Sequence, residues 1–190
     1  MNKPDTQPNF QDLNALAAYI YNEVNQKLWM DEHGTPIKRN HGELLMLVIT
    51  ELAEAVEGIR KNLMDDHLPH RKMEEVEMAD AKIRLLDFAA GFKIKLGKTS
   101  AFHPTTNNKA DQILGICDAV CQVREHFEFM LKKHENELES CTTMAISTIE
   151  SYCCFHNLDL EGAMREKIEY NKSRLDHTHE ARKQANGKKF

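Results

Sequence analysis

Apolar residues recur at helical spacing along most of this chain, and no segment alternates convincingly in the two-residue rhythm of a strand. Leu13, Leu16, Ala17, Ile20 and Val24 step by three or four and predict a first helix over roughly 9–31. The stretch DEHGTPIKRN, with Gly34 and Pro36, interrupts the pattern. A second helix is predicted over roughly 38–63, then a loop at MDDHLPH, then a third helix over roughly 70–91 with Gly91 as its C′ residue. LGKTSAFHPTTNNK reads as a polar connector. Ile113, Ile116, Val120, Val123, Phe127 and Met130 carry a fourth helix over roughly 109–134, and a fifth follows over roughly 136–156. Asp159 looks like an N-cap, with Glu161 in the first turn, for a last helix ending near Arg174. The pattern predicts an all-α bundle of about six helices.

Composition narrows the class. A chain of 190 residues, 41% hydrophobic and 29% charged, is the size and balance of one globular domain. The net charge of −5 argues against nucleic acid as a partner, and the basic ending ARKQANGKKF reads as a solvated polar tail at about 176–190. The longest strictly apolar run, Leu44 to Ile49, is far too short for a membrane span, and MNKPDTQPNF has no apolar signal region. Five cysteines without a CxxC pair read as reduced thiols packed as small hydrophobes. A cytoplasmic protein is the expectation.

One feature of the pattern does not fit a plain core. In the second helix Leu47, Glu51, Glu54 and Gly58 form a stripe beside the apolar Leu44, Val48, Leu52, Ala55 and Ile59. In the third, Glu77, Asp80, Arg84 and Asp87 border Val76, Ala79, Ile83, Leu86 and Ala90. If the two helices pack antiparallel, four carboxylates converge against an apolar seam. They cannot all stay ionised there without counter-charge, and a hard divalent cation such as Mg²⁺ supplies it. Solvated acidic faces are the plainer alternative. A di-iron bundle is excluded, since no histidine has a glutamate three residues before it.

The pattern Glu51-x-x-Glu54, 22 residues, then Glu77-x-x-Asp80 resembles the metal signature of the MazG-like, all-α nucleoside triphosphate pyrophosphohydrolases. LMLVITELAEAVEGIRK and EEVEMADAKIRLLDFAAG resemble that family's second and third helices, and LDLEGAMREKIEYNKSR its last, with Lys167, Asn171 and Arg174 in a Lys-x3-Asn-x2-Arg pattern. The resemblance covers roughly 10–92 and 150–176. It implies a single domain over 1–190 with an inserted helical segment at about 93–150. It implies that Glu51, Glu54, Glu77 and Asp80 hold Mg²⁺ (or Mn²⁺ in its place). It implies cleavage of a (deoxy)nucleoside triphosphate to monophosphate and pyrophosphate by a homo-oligomer, dimer or tetramer, cleaning the nucleotide pool. Glu51 or Glu54 is the candidate general base.

Lys167, Asn171 and Arg174 would face the triphosphate; a basic helix end stabilised by the macrodipole is the alternative. Arg84 would reach phosphate or pair with Asp80 or Asp87. Trp29 would stack on a base or pack in the core. Asn40, His41 and Glu43 open the second helix and could line the same pocket, whereas His67 and His70 are expected exposed in the loop. The chain departs from the family after Arg174, where Leu175 follows, which puts a phosphate role for Lys188 or Lys189 in doubt. Two other readings stay open: a non-enzymatic, oligomeric regulatory module, and hydrolysis of another pyrophosphate compound such as an alarmone or a phosphoribosyl nucleotide.

Overall fold

In the computed structural model, residues 8–129 and 135–174 are described, and the whole of that region is helices and connectors, with two isolated bridges and no strand. Met130, Lys188 and Lys189 lie outside the described residues. The elements are α1 (Leu13–Tyr19), a π-helical turn (Ile20–Val24), α2 (Gln26–Trp29), α3 (His41–Lys61), α4 (Met73–Gly91), α5 (Lys109–Phe129), α6 (Glu135–Phe155) and α7 (Leu160–Lys172).

α4 is the axis of the bundle. It packs on α3, α1, α6 and α7 and is buried on nearly every side, so its apolar positions do not form one stripe. Val76, Met78, Ala79, Ala81, Leu85, Leu86 and Phe88 fill the centre. α3 runs antiparallel to it: Gly58 near the end of α3 lies against Met73 at the start of α4, while Glu51 meets Arg84. A Cβ on Gly58 would stand 2.8 Å from the Met73 Cβ, so glycine permits the close approach of the two helices.

The segment at about 93–150 belongs to the same bundle as the rest. Ile113, Ile116, Val120 and Val123 of α5, and Ile146, Ile149 and Cys153 of α6, are buried in the common core. Its amphipathic fourth helix therefore covers its own protomer. The connector before α5 runs along α6, where Thr143, Ser147 and Ser151 stand four residues apart. Their hydroxyls accept from the backbone N–H groups of Gly97 (2.9 Å), Ser100 (3.3 Å) and Phe102 (2.9 Å). A row of hydroxyls thus satisfies backbone groups that have no sheet partner.

Several boundaries differ from the expected ones. The first helix breaks at the π turn and again at Asn25, because a four-residue apolar step does not distinguish α from π winding. Gly91 is the last helical residue rather than C′; Lys93 takes the left-handed conformation, with φ 58°. Gly91 is needed for space, since a Cβ there would overlap the six-membered ring of Trp29. Of the thiols, Cys153 alone is fully buried, and burial pushes it well above its ordinary range; Cys121 and Cys154 are exposed, and none of the five is bridged. Among the described residues no helix is long and apolar enough to cross a membrane.

A candidate metal centre between α3, α4 and α7

Asn40 caps α3, accepting from the Glu43 N–H at 3.1 Å, and the helix then delivers Glu51 to the buried seam. α4, begun at Met73, presents Glu77 and Asp80 one turn apart toward it. One carboxylate oxygen from each of Glu51, Glu77 and Asp80 lies within 4.8 Å of the other two, and all three residues are buried. Three anionic oxygens at this spacing can hold a metal ion. Glu54 is one turn farther along α3 and exposed, so it borders the trio from the solvent side.

The third wall is α7. Asp159 caps it through the Gly162 N–H, and the Arg71 guanidinium ties its start to α4 through Glu75, Asp159 and Glu166. This places Lys167 against the acids: its Nζ stands 2.9 Å from Asp80 Oδ2, with the lysine side chain 3% exposed. One turn later on the same face is Asn171, also buried, whose Oδ1 has no hydrogen-bond partner among the described residues. An unsatisfied buried amide oxygen is costly and calls for a donor or cation.

The charges are out of balance. Burial, then Asp80 and Glu51, pushes the Glu77 carboxyl far above the carboxylate range. Burial also raises Asp80 despite Lys167, and burial together with Glu51 raises Glu54. For Lys167 burial works downward, but Asp80 and Glu77 outweigh it, so it too holds its proton more tightly. Acids and base shift in the same direction, toward more bound positive charge. A site with such a deficit, built from oxygen donors, could hold a metal ion.

Arg84 does not pair with Asp80 or Asp87. Its Nε donates to Glu51 Oε1 at 2.5 Å, and its Nη2 closes on the same oxygen, across the α3–α4 seam. Trp29 takes the core position, with 5% of its surface exposed. Its Nε1–H is shared between both oxygens of Asp87 at 3.1 Å, and its ring packs against Tyr21 and Phe92. Of the two readings of Trp29, this is the packed one: the ring is covered by Tyr21 and Phe92. Asp87, pushed up to about 6 by burial, is held by Trp29 and Asn25. Arg174 ends α7 half-buried, 5.7 Å from the Tyr170 ring. His41 stacks on Phe127 at 4.5 Å. His67 and His70 are exposed but engaged, with Tyr170 and Glu166 respectively.

A buried acid of the α3–α4 loop escaped the sequence pattern. Asp65, in the α3–α4 loop, accepts from the His67 and Leu68 N–H groups at 3.0 and 2.6 Å and adds to the field on Lys167. An aspartate opening a tight turn in DDHLP was the available signal, but nothing local shows that α7 will close over it. Among known protein families, curated proteins and solved structures, none matches this chain.

Proposed function

We propose that the chain is a Mg²⁺-dependent pyrophosphohydrolase acting on (deoxy)nucleoside triphosphates, yielding a nucleoside monophosphate and pyrophosphate. The observation that carries this reading is the arrangement of α3, α4 and α7. Three buried carboxylates meet there, and a buried lysine and an asparagine whose Oδ1 has no partner among the described residues stand one helical turn apart on the facing helix. Oxygen-only donors favour Mg²⁺ over softer metals, and Mn²⁺ is the natural substitute. When bound, such an ion neutralises and orients phosphate oxygens.

The chain's own residues divide the remaining work. Glu51, Glu77 and Asp80 hold the ion. Lys167 offers a fixed cation from a rigid helix, and Asn171 an amide on the same face. Arg174 follows α7 by two residues and in this reading meets the triphosphate beyond them. Glu54 is partly solvated, with its carboxyl raised by burial and by neighbouring Glu51. In this reading Glu54 orients an attacking water and accepts its proton. The working form is a homo-oligomer in the cytoplasm, and its role is to clear or tune nucleotide pools.

A product panel tests this. Each common NTP and dNTP is incubated with Mg²⁺, and pyrophosphate and monophosphate are measured together. Equal amounts of the two are expected. Release of single phosphate would mean cleavage at the outer bond and overturn the reading. No turnover, with no thermal stabilisation by Mg²⁺, would favour a non-enzymatic helical module instead. Glu77→Gln and Asp80→Asn should each abolish turnover.

A further inference from the structure

Arg84 sits where it cannot serve substrate in its present pose. Both of its engaged nitrogens close on one oxygen of Glu51, which is one of the three carboxylates of the metal centre. Lys167 does the same for Asp80. The two acid-bearing helices, α3 and α4, thus each have one acid covered by a basic side chain from another helix. The two cations differ in freedom. Lys167 is enclosed, with 3% of its side chain exposed, and its position is set by α7. The Arg84 side chain is 34% exposed, and among the described residues it bonds to Glu51 alone.

We propose that Arg84 is a stored counter-ion: it neutralises Glu51 until a divalent cation takes that carboxylate, and is then released to grip substrate phosphate. This rests on the metal-centre reading above. Three considerations support it. A carboxylate oxygen shared between a guanidinium and a divalent ion serves both poorly, so the ion and Arg84 compete for Glu51. The displaced guanidinium has an exposed side to move toward, unlike Lys167. It lies one turn beyond Asp80 on α4, on the same stripe as Glu77 and Asp80. The planar fork that closes on a carboxylate fits a phosphate equally well. The exchange keeps Glu51 compensated when no metal is present. It also delays assembly of the full phosphate site until the ion has bound.

The test uses the full-length protein and two variants, Arg84→Met and Arg84→Lys, with Mn²⁺ alone as the first probe. Titration calorimetry without nucleotide should show Arg84→Met binding Mn²⁺ roughly tenfold more tightly than wild type, the order expected from removing a charged hydrogen-bond competitor. Binding of inorganic triphosphate to the Mn²⁺-saturated protein should weaken roughly tenfold or more in the same variant. Arg84→Lys, which retains charge but loses the fork, should fall between the two on both measurements. Tighter Mn²⁺ binding with unchanged triphosphate binding would make Arg84 a mere partner of Glu51 and overturn the exchange. So would Mn²⁺ affinity that is unchanged or weaker. A wild-type protein that binds no Mn²⁺ would bring down the metal centre and this inference together. Opposite shifts in the two affinities, without turnover of any nucleotide, would uphold the exchange while refuting the proposed reaction.

Discussion

Replacing Lys167 by Met asks how much of the acidic centre is held by one buried charge. Met keeps the unbranched stem and removes the ammonium. The Lys167 and Asp80 side chains are 3% and 11% exposed and 2.9 Å apart, so solvent screens the pair little. Removing one partner of a buried pair costs about 3–5 kcal/mol, because the other charge is stranded. Here the cost has a ceiling. Asp80, already raised by burial, can take up a proton, at about 1.4 kcal/mol for each unit by which the pH exceeds its pKa. The folded variant then binds that proton far more tightly than the unfolded chain does. Its stability is preserved in acid and lost as pH rises.

The expected result is a drop in Tm on the order of 10 °C at pH 8 in chelator, from about 2–4 °C per kcal/mol for a chain of this size. At pH 5 the drop should be much smaller. Thermal melts at both pH values, repeated with Mg²⁺, measure it. The ion should recover part of the loss by binding the folded state and replacing the missing charge. An equal loss at both pH values, indifferent to Mg²⁺, would refute the charge account and point to packing alone.

Three further outcomes are expected. Asp87 is raised from 3.8 to about 6, so it favours the folded state in acid, and that contribution is lost as pH rises between those values; Asp87→Asn should flatten this window in a series of melts. Gly91→Ala should cost about 1–3 kcal/mol or more by overlap with the Trp29 ring, which its bonds to Asp87 hold in place; with Trp29→Phe added, the pair should cost less than the sum of the single changes in urea denaturation. Tyr152→Phe removes the hydroxyl that donates to buried Glu74 at 2.6 Å and should cost about 1.5–3 kcal/mol by the same assay, since the bond goes to a charged group. A loss near zero would mean that Lys109, at 2.7 Å from both oxygens of Glu74, satisfies that carboxylate unaided.

The helices of the bundle were legible because burying one face of a helix leaves a mark every three or four residues. Leu44, Val48, Leu52 and Ala55 show it, and all four are buried. The same rhythm placed Glu51 on the edge of the core. It did less well on α4, whose acids and apolar residues are buried alike, because a helix surrounded on all sides has no outer face to contrast with. Trp29 shows the opposite limit. A lone tryptophan before a Gly-Pro loop is compatible with a ligand site or with a core, and only Asp87, 58 residues away, makes it a hydrogen-bonded core residue.

The sequence by itself determined the helical class and the pairing of Glu51 with Glu54 and of Glu77 with Asp80 on helix faces, since both follow from contacts within one or two turns. The capping of α7 by Asp159 was likewise local. The tertiary structure decided which charges meet. Arg84 chose Glu51 over the nearer Asp80 and Asp87, Lys167 reached Asp80 across the bundle, and Glu54 stayed at the solvent border while Glu51 went in. Those outcomes depend on the antiparallel register of α3 and α4 and on the docking of α7 through Arg71. Both are set by long-range packing, which leaves no periodic trace along the chain.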